Sequence, residues 1–192
     1  MKKIKSILVI VAFFSLSGCM SVKSFVDPQY KNSSYDQIKP VSKKYDAKVE
    51  VEFQRNGKHL DKIDHDLKNS VEQVLNKTKL VSLDENASVI IKVTVNNLAN
   101  TTQGAGKGFL VGLTFGAIGT TVQDSYDVSI SLIQKNGNVV HKNYKHVIYA
   151  TIGHKSAPLN VKPKHPADAF SQVVEDVMLN FIKDMQKQGL FS

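Results

Sequence analysis

Cys19 is the only thiol in the 192 residues. A single cysteine excludes an intrachain disulfide framework and any multi-cysteine metal site within one chain. What remains for it is chemistry at one sulfur, oxidation or covalent capping. Histidine is the other side chain that could work near neutral pH, and the six histidines are scattered. His141 and His146 are five apart in an alternating segment, hence on opposite faces of a strand. His59 and His65 flank the start of a helical pattern. Surface positions are the simpler reading of all six, ahead of a metal site. Asp64-His65-Asp66 reads as charge at a helix start rather than as an acid–base pair. Nucleophile elbow, His-Glu-x-x-His and paired acidic motifs do not occur. The residues argue against an enzyme and call for no cofactor.

The position of Cys19 is informative. Lys2, Lys3 and Lys5 precede an apolar core, Ile7 to Leu16, broken once by Ser15. That core is half the roughly 20 residues a membrane span needs, so residues 1–18 read as a secretory signal. The segment closes on Leu16-Ser17-Gly18-Cys19, which resembles the lipobox of bacterial envelope lipoproteins. The resemblance implies a diacylglycerol on the Cys19 sulfur, cleavage before Cys19 and an acylated new amine. Two or three acyl chains, each burying methylenes at about 0.8 kcal/mol, anchor a protein stably where one would not. The alternative is a soluble exported protein with a free thiol. Met20, rather than Asp, implies outer-membrane delivery by the same resemblance.

Removing residues 1–18 leaves 174 residues and lowers the net charge from +8 to +5, because three lysines leave and no acid does. A mildly basic exported chain suits anionic headgroups. Arg55 is its only arginine, and no motif argues for nucleic acid.

The second feature is glycine. Six of the 11 glycines lie between Gly104 and Gly119. Gly104, Gly108, Gly112 and Gly116 recur every fourth residue, and residues 108–123 carry no charge. On a helix that spacing gives a bare face, which lets a second helix approach closely. In water each interior glycine costs roughly 1 kcal/mol relative to alanine. Gly104, Gly108, Phe109, Gly112, Leu113, Phe115 and Gly116 are therefore candidate membrane or oligomer contacts. Sixteen helical residues rise about 24 Å, short of a bilayer core of about 30 Å, so a lone span is disfavoured. A loop folded over the domain's own core is the competing reading. Phosphate cradling is the weakest, since no Lys-Ser/Thr follows the glycines.

Ordinary elements surround these features. Residues 19–47 are polar and turn-rich and read as the lipidated cysteine followed by a flexible tether. Residues 48–54 alternate as a half-buried strand, and Asn56-Gly57 turns the chain. Ile63, Leu67, Val71, Val74 and Leu75 make one helical stripe across residues 61–79, with Asp61 or Asp64 as cap. Residues 87–98 and 125–135 alternate again, and Asn136-Gly137, both of which tolerate positive φ, marks a hairpin to residues 139–151. Residues 153–164 form a loop; with His165 at its end it carries the basic group His154, Lys155, Lys162 and Lys164. A last helix opens at Pro166 and stops at Gly189, carrying Phe170, Val173, Val174, Val177, Met178, Phe181, Ile182 and Met185.

The pattern predicts one α+β domain over residues 48–189: a small, mostly antiparallel sheet packed on one face by two helices, with an apolar insertion at 104–123. The plan is similar to TraT-like surface-exclusion and complement-resistance lipoproteins and to small α+β assembly-factor lipoproteins. The resemblance implies a non-enzymatic, lipid-anchored envelope protein that self-associates or touches the bilayer through the insertion, with a structural or assembly role. A periplasm-facing module binding a protein partner or an anionic lipid is the alternative. Homo-oligomer, envelope partner and membrane are the partners expected, and no metal.

Overall fold

A computed structural model describes residues 22–99, 120–152 and 160–191. Alternation of apolar and polar residues builds the sheet. Strands β2 (Tyr45–Arg55), β5 (Ile90–Ala99), β6 (Thr120–Ile133) and β7 (Val139–Ile152) form its centre. β1 (Val22–Val26), β3 (Lys58–His59) and β4 (Val81–Leu83) complete it. The strand order is β1-β7-β6-β5-β2-β3, with β4 also on β2. β5, β6, β7 and β1 run antiparallel to one another in turn, whereas β2 pairs β5 and β4 in parallel. A parallel pair needs a crossover, and helix α1 (Asp64–Thr78) supplies it.

Helix α1 and helix α2 (Pro166–Lys187) lie on the same face of the sheet. That face presents Ala47, Val49 and Phe53 from β2, Ile91, Val93 and Val95 from β5, and Tyr126, Val128, Ile130 and Leu132 from β6, all buried. The helices answer with Leu67, Val71, Val74 and Leu75, and with Val173, Val177, Met178, Phe181, Ile182 and Met185. Each fully buried side chain of this size contributes roughly 1.5–3 kcal/mol. The predicted α+β class, its single helix-covered face and the apolar stripes are all present.

Three local expectations are corrected. First, residues 22–47 are not a loose tether. Val22 to Val26 pair with Ile152 to Ile148, and Ser24 exchanges backbone hydrogen bonds with Lys164 at 3.0 and 2.8 Å. Short 3-10 turns follow at Pro28–Tyr30 and Tyr35–Gln37. Backbone pairing with a waiting sheet edge outweighs the polar composition. Second, neither Asp61 nor Asp64 caps α1 through its side chain; the cap residue is Ile63, without a side-chain bond. The predicted β6–β7 hairpin is present, and in its turn Gly137 takes positive φ, at 84°, while Asn136 does not. Gly137 N–H donates to Gln134 O at 2.9 Å, so the hairpin is a tight turn closed by a left-handed glycine. Third, the insertion cannot extend to residue 123, because Thr120 to Gln123 of β6 pair with Ile152 to Tyr149 of β7. A helical reading of residues 108–123 fails for its last four residues.

Candidate functional site

Three strand ends converge on one rung. Thr120 at the start of β6 pairs with Ile152 at the end of β7, which pairs with Val22 at the start of β1. Ala99, the end of β5, pairs with Asp124 further along β6. Cys19 is three residues before Val22 in the sequence. Residues 100–119, with all the candidate glycines, join the sheet at Ala99 and Thr120. Thus Cys19, Gly104, Gly108, Phe109, Gly112, Leu113, Phe115 and Gly116 lie outside the described residues, but every chain end leading to them leaves one end of the sheet. The flanks there include Val22 and Leu98, which are 43% and 38% exposed. The basic loop attaches to the same end at Ile152; His154 and Lys155 lie outside the described residues, and Lys162, Lys164 and His165 are exposed.

Asp64 acts here in place of capping its helix. One carboxylate oxygen accepts the Phe53 N–H at 2.7 Å, and the other lies 2.6 Å from His59 Nε2. That hydrogen bond holds the His59 pKa above its ordinary 6.5, helped by the charges of Asp64, Glu52 and Asp61 and opposed by partial desolvation. A raised folded-state pKa means stability that is full below pH 6.5 and is lost as pH rises through the folded value. Replacing His59 with Gln should remove that component. Urea midpoints of wild type should fall over this window while those of the variant stay flat; parallel curves would refute the linkage.

The expectation of surface histidines fails at His146. Its side chain is fully buried, as is that of Asp176 on α2, and Nε2 stands 3.3 Å from Asp176 Oδ2. The Val147 N–H donates to His146 Nδ1 at 2.9 Å, and Nε2 faces the Asp176 carboxylate. The Tyr30 ring lies against the imidazole, centroids 5.2 Å apart. Beside it, Asn180 Nδ2 donates to Tyr30 O at 3.0 Å and its Oδ1 accepts the Asn32 N–H at 3.1 Å. Lys31 Nζ is 3.9 Å from Asp176 Oδ1. This cluster fastens the segment just after β1 to β7 and α2. The signal was available: a strand that places two histidines on opposite faces must turn one of them inward.

On the sheet's open face Ser131 Oγ lies 2.9 Å from His141 Nδ1, and His141 Nε2 3.1 Å from Asn143 Oδ1. The order imitates a nucleophile, a base and its orienting group. All three are on a solvent-facing surface of the β6–β7 hairpin. Among the described residues no group of His, Cys, Asp and Glu is spaced to hold a metal ion. No helix among them is long and apolar enough to cross a membrane.

The fold defines a small α+β protein with a seven-stranded mixed sheet covered on one face by two helices. Among solved structures it is similar to a PelC dodecamer from Paraburkholderia phytofirmans, at 13% identity over 87% of this chain and 97% of that one, with a TM-score of 0.39. It is also similar to a minor lipoprotein from Acinetobacter baumannii, at 13% identity over 80% and 93% of the two chains, with a TM-score of 0.33. No protein-family profile matches the chain, and no curated protein matches it in sequence.

Proposed function

We propose that this protein is a non-enzymatic lipoprotein of the bacterial envelope, tethered through an acylated Cys19, with the Thr120–Ile152–Val22 end of its sheet turned to the bilayer. The observation that carries the reading is the shared exit. The cysteine of the lipobox-like tetrapeptide and the uncharged, glycine-spaced stretch both join the fold at one end of one sheet. An anchor and an apolar segment at opposite ends would serve a membrane surface poorly; at one end they act together. The ordering of residues 22–33 strengthens it, because a short, pinned connection holds the domain close to its anchor. In this reading the outer membrane is the destination and the Gly104–Gly116 stretch meets lipid or a second copy. The role is structural or in assembly.

The acylated Cys19 sulfur is blocked, so one new cysteine can carry a probe. Leu98 sits near the shared end and Val139 at the other, both with exposed side chains. Leu98 is level with Val147, eight residues along β7 from Val139, so the two sites are separated by roughly 27 Å. Fluorophores at Leu98→Cys and Val139→Cys in vesicles with nitroxide headgroups should be quenched strongly at 98 and weakly at 139. Equal quenching, or the reverse order, overturns the orientation.

A further inference from the structure

Two hollows meet on the helical side of the molecule. One, of about 480 Å³, lies between the first turns of α1 and α2 and the sheet, and is lined by Phe53, Ile63, Tyr126 and Phe170. Its aromatic rings pack edge-on or tilted, with Phe170 centred 5.6 Å from Phe53 and 5.9 Å from Tyr126. The other, of about 760 Å³, is polar and is lined by Lys77, Lys164, Asp168, Gln172 and Glu175. Ser70 of α1 and Ser171 of α2 line both, with their Oγ atoms 3.4 Å apart. The volumes are those of small-molecule sites.

The charges of the polar part are unevenly spent. Lys77 pairs with Glu175 at 3.4 Å. Lys164 and Asp168 make no ion pair among the described residues, yet both face this hollow. A site offering an unspent cation and an unspent anion is matched by a head that carries both charges. The aromatic hollow next to it is matched by a saturated chain. We propose that the α1–α2 groove binds a single-chain zwitterionic amphiphile: a phosphate toward Lys164, an ammonium toward Asp168, and an acyl tail among Phe53, Tyr126 and Phe170. A purely anionic head would set its charge against Asp168, and a bare fatty acid would leave the polar part unmatched.

The proposal rests on the membrane-surface reading only for the source of the lipid. Phe53 is level with Val95 and Tyr126 with Asn97, both in the half of β5 that ends at Ala99. The apolar hollow thus lies toward the end of the sheet from which Cys19 and the glycine-rich stretch depart, so the tail would enter from the bilayer side. The test supplies the lipid from solution, so its failure is separate from failure of anchoring. Full processed chain in amphipol is dialysed against radiolabelled tetradecanoyl lysophosphatidylethanolamine below its micelle concentration. Saturable uptake of one per chain is expected. Affinity should fall at least about tenfold for glycerophosphoethanolamine, for tetradecanoate and for Ser171→Leu, which fills the junction. Lys164→Ala and Asp168→Ala are surface changes that keep the test alive if Ser171→Leu does not fold; each should weaken binding several-fold. Non-saturable uptake, affinity indifferent to these changes, or equal affinity for the lysophosphatidylglycerol analogue overturns the proposal.

Discussion

Replacing Cys19 with alanine should abolish membrane retention that survives an alkaline wash, and should remove every acyl group from the protein. The size of the effect follows from chain count. One myristoyl-length chain gives marginal, reversible binding with an association constant of roughly 10⁴ M⁻¹, whereas two or three chains hold a protein stably. The residual leader of the variant offers only the apolar run Ile7 to Leu16, half of a span, so it cannot replace the lipids. Intact-mass spectrometry reads both outcomes at once. Wild type should lack residues 1–18 and carry the mass of a diacylglycerol and a further acyl chain. The variant should carry neither, and should keep the leader. A free sulfhydryl at residue 19 of the mature wild-type chain would defeat the anchor, and with it the assignment of a bilayer-facing end.

Much of the fold was legible because period-2 and period-3.6 patterns are local. Val49, Val51 and Phe53 announce a half-buried strand by themselves, and the stripe from Val173 to Met185 announces a helix. What escaped is what two distant segments create together. Val22 to Val26 is too short and too mixed to read as a strand; it becomes one because β7 offers an edge and Lys164 closes its other side. Asp64 has the type and place of a cap, but a strand N–H and His59 compete for its oxygens and win. The candidate site divides in the same way. Cys19 and the glycine spacing are readable from the sequence, while their convergence needs the Thr120–Ile152–Val22 rung. The groove leaves no sequence trace, since Ser70 and Ser171 are separated by 101 residues.

His146 carries the second large expected effect. Substituting leucine for His146 keeps most of the volume but strips Asp176 of its donor. The carboxylate would stay fully buried, with Oδ1 already lacking a hydrogen bond and Lys31 at 3.9 Å as its remaining charge partner among the described residues. Breaking a buried pair from one side costs about 3–5 kcal/mol, because the orphaned charge keeps its desolvation penalty. Removing both partners should be milder. A His146→Leu/Asp176→Leu protein has no charge to orphan, and exchanging a buried pair for apolar residues of similar volume is often neutral. The double variant should therefore be more stable than the His146→Leu single, a coupling readable from urea unfolding in a double-mutant cycle. The loss should be local first. Tyr30 rests on the imidazole and Asn180 holds the backbone of Tyr30 and Asn32, so amide exchange across residues 27–33 should speed up before the central strands yield. A single variant as stable as wild type would mean that the pair does not fasten residues 27–33, and that the segment after β1 is held by the β1–β7 ladder alone.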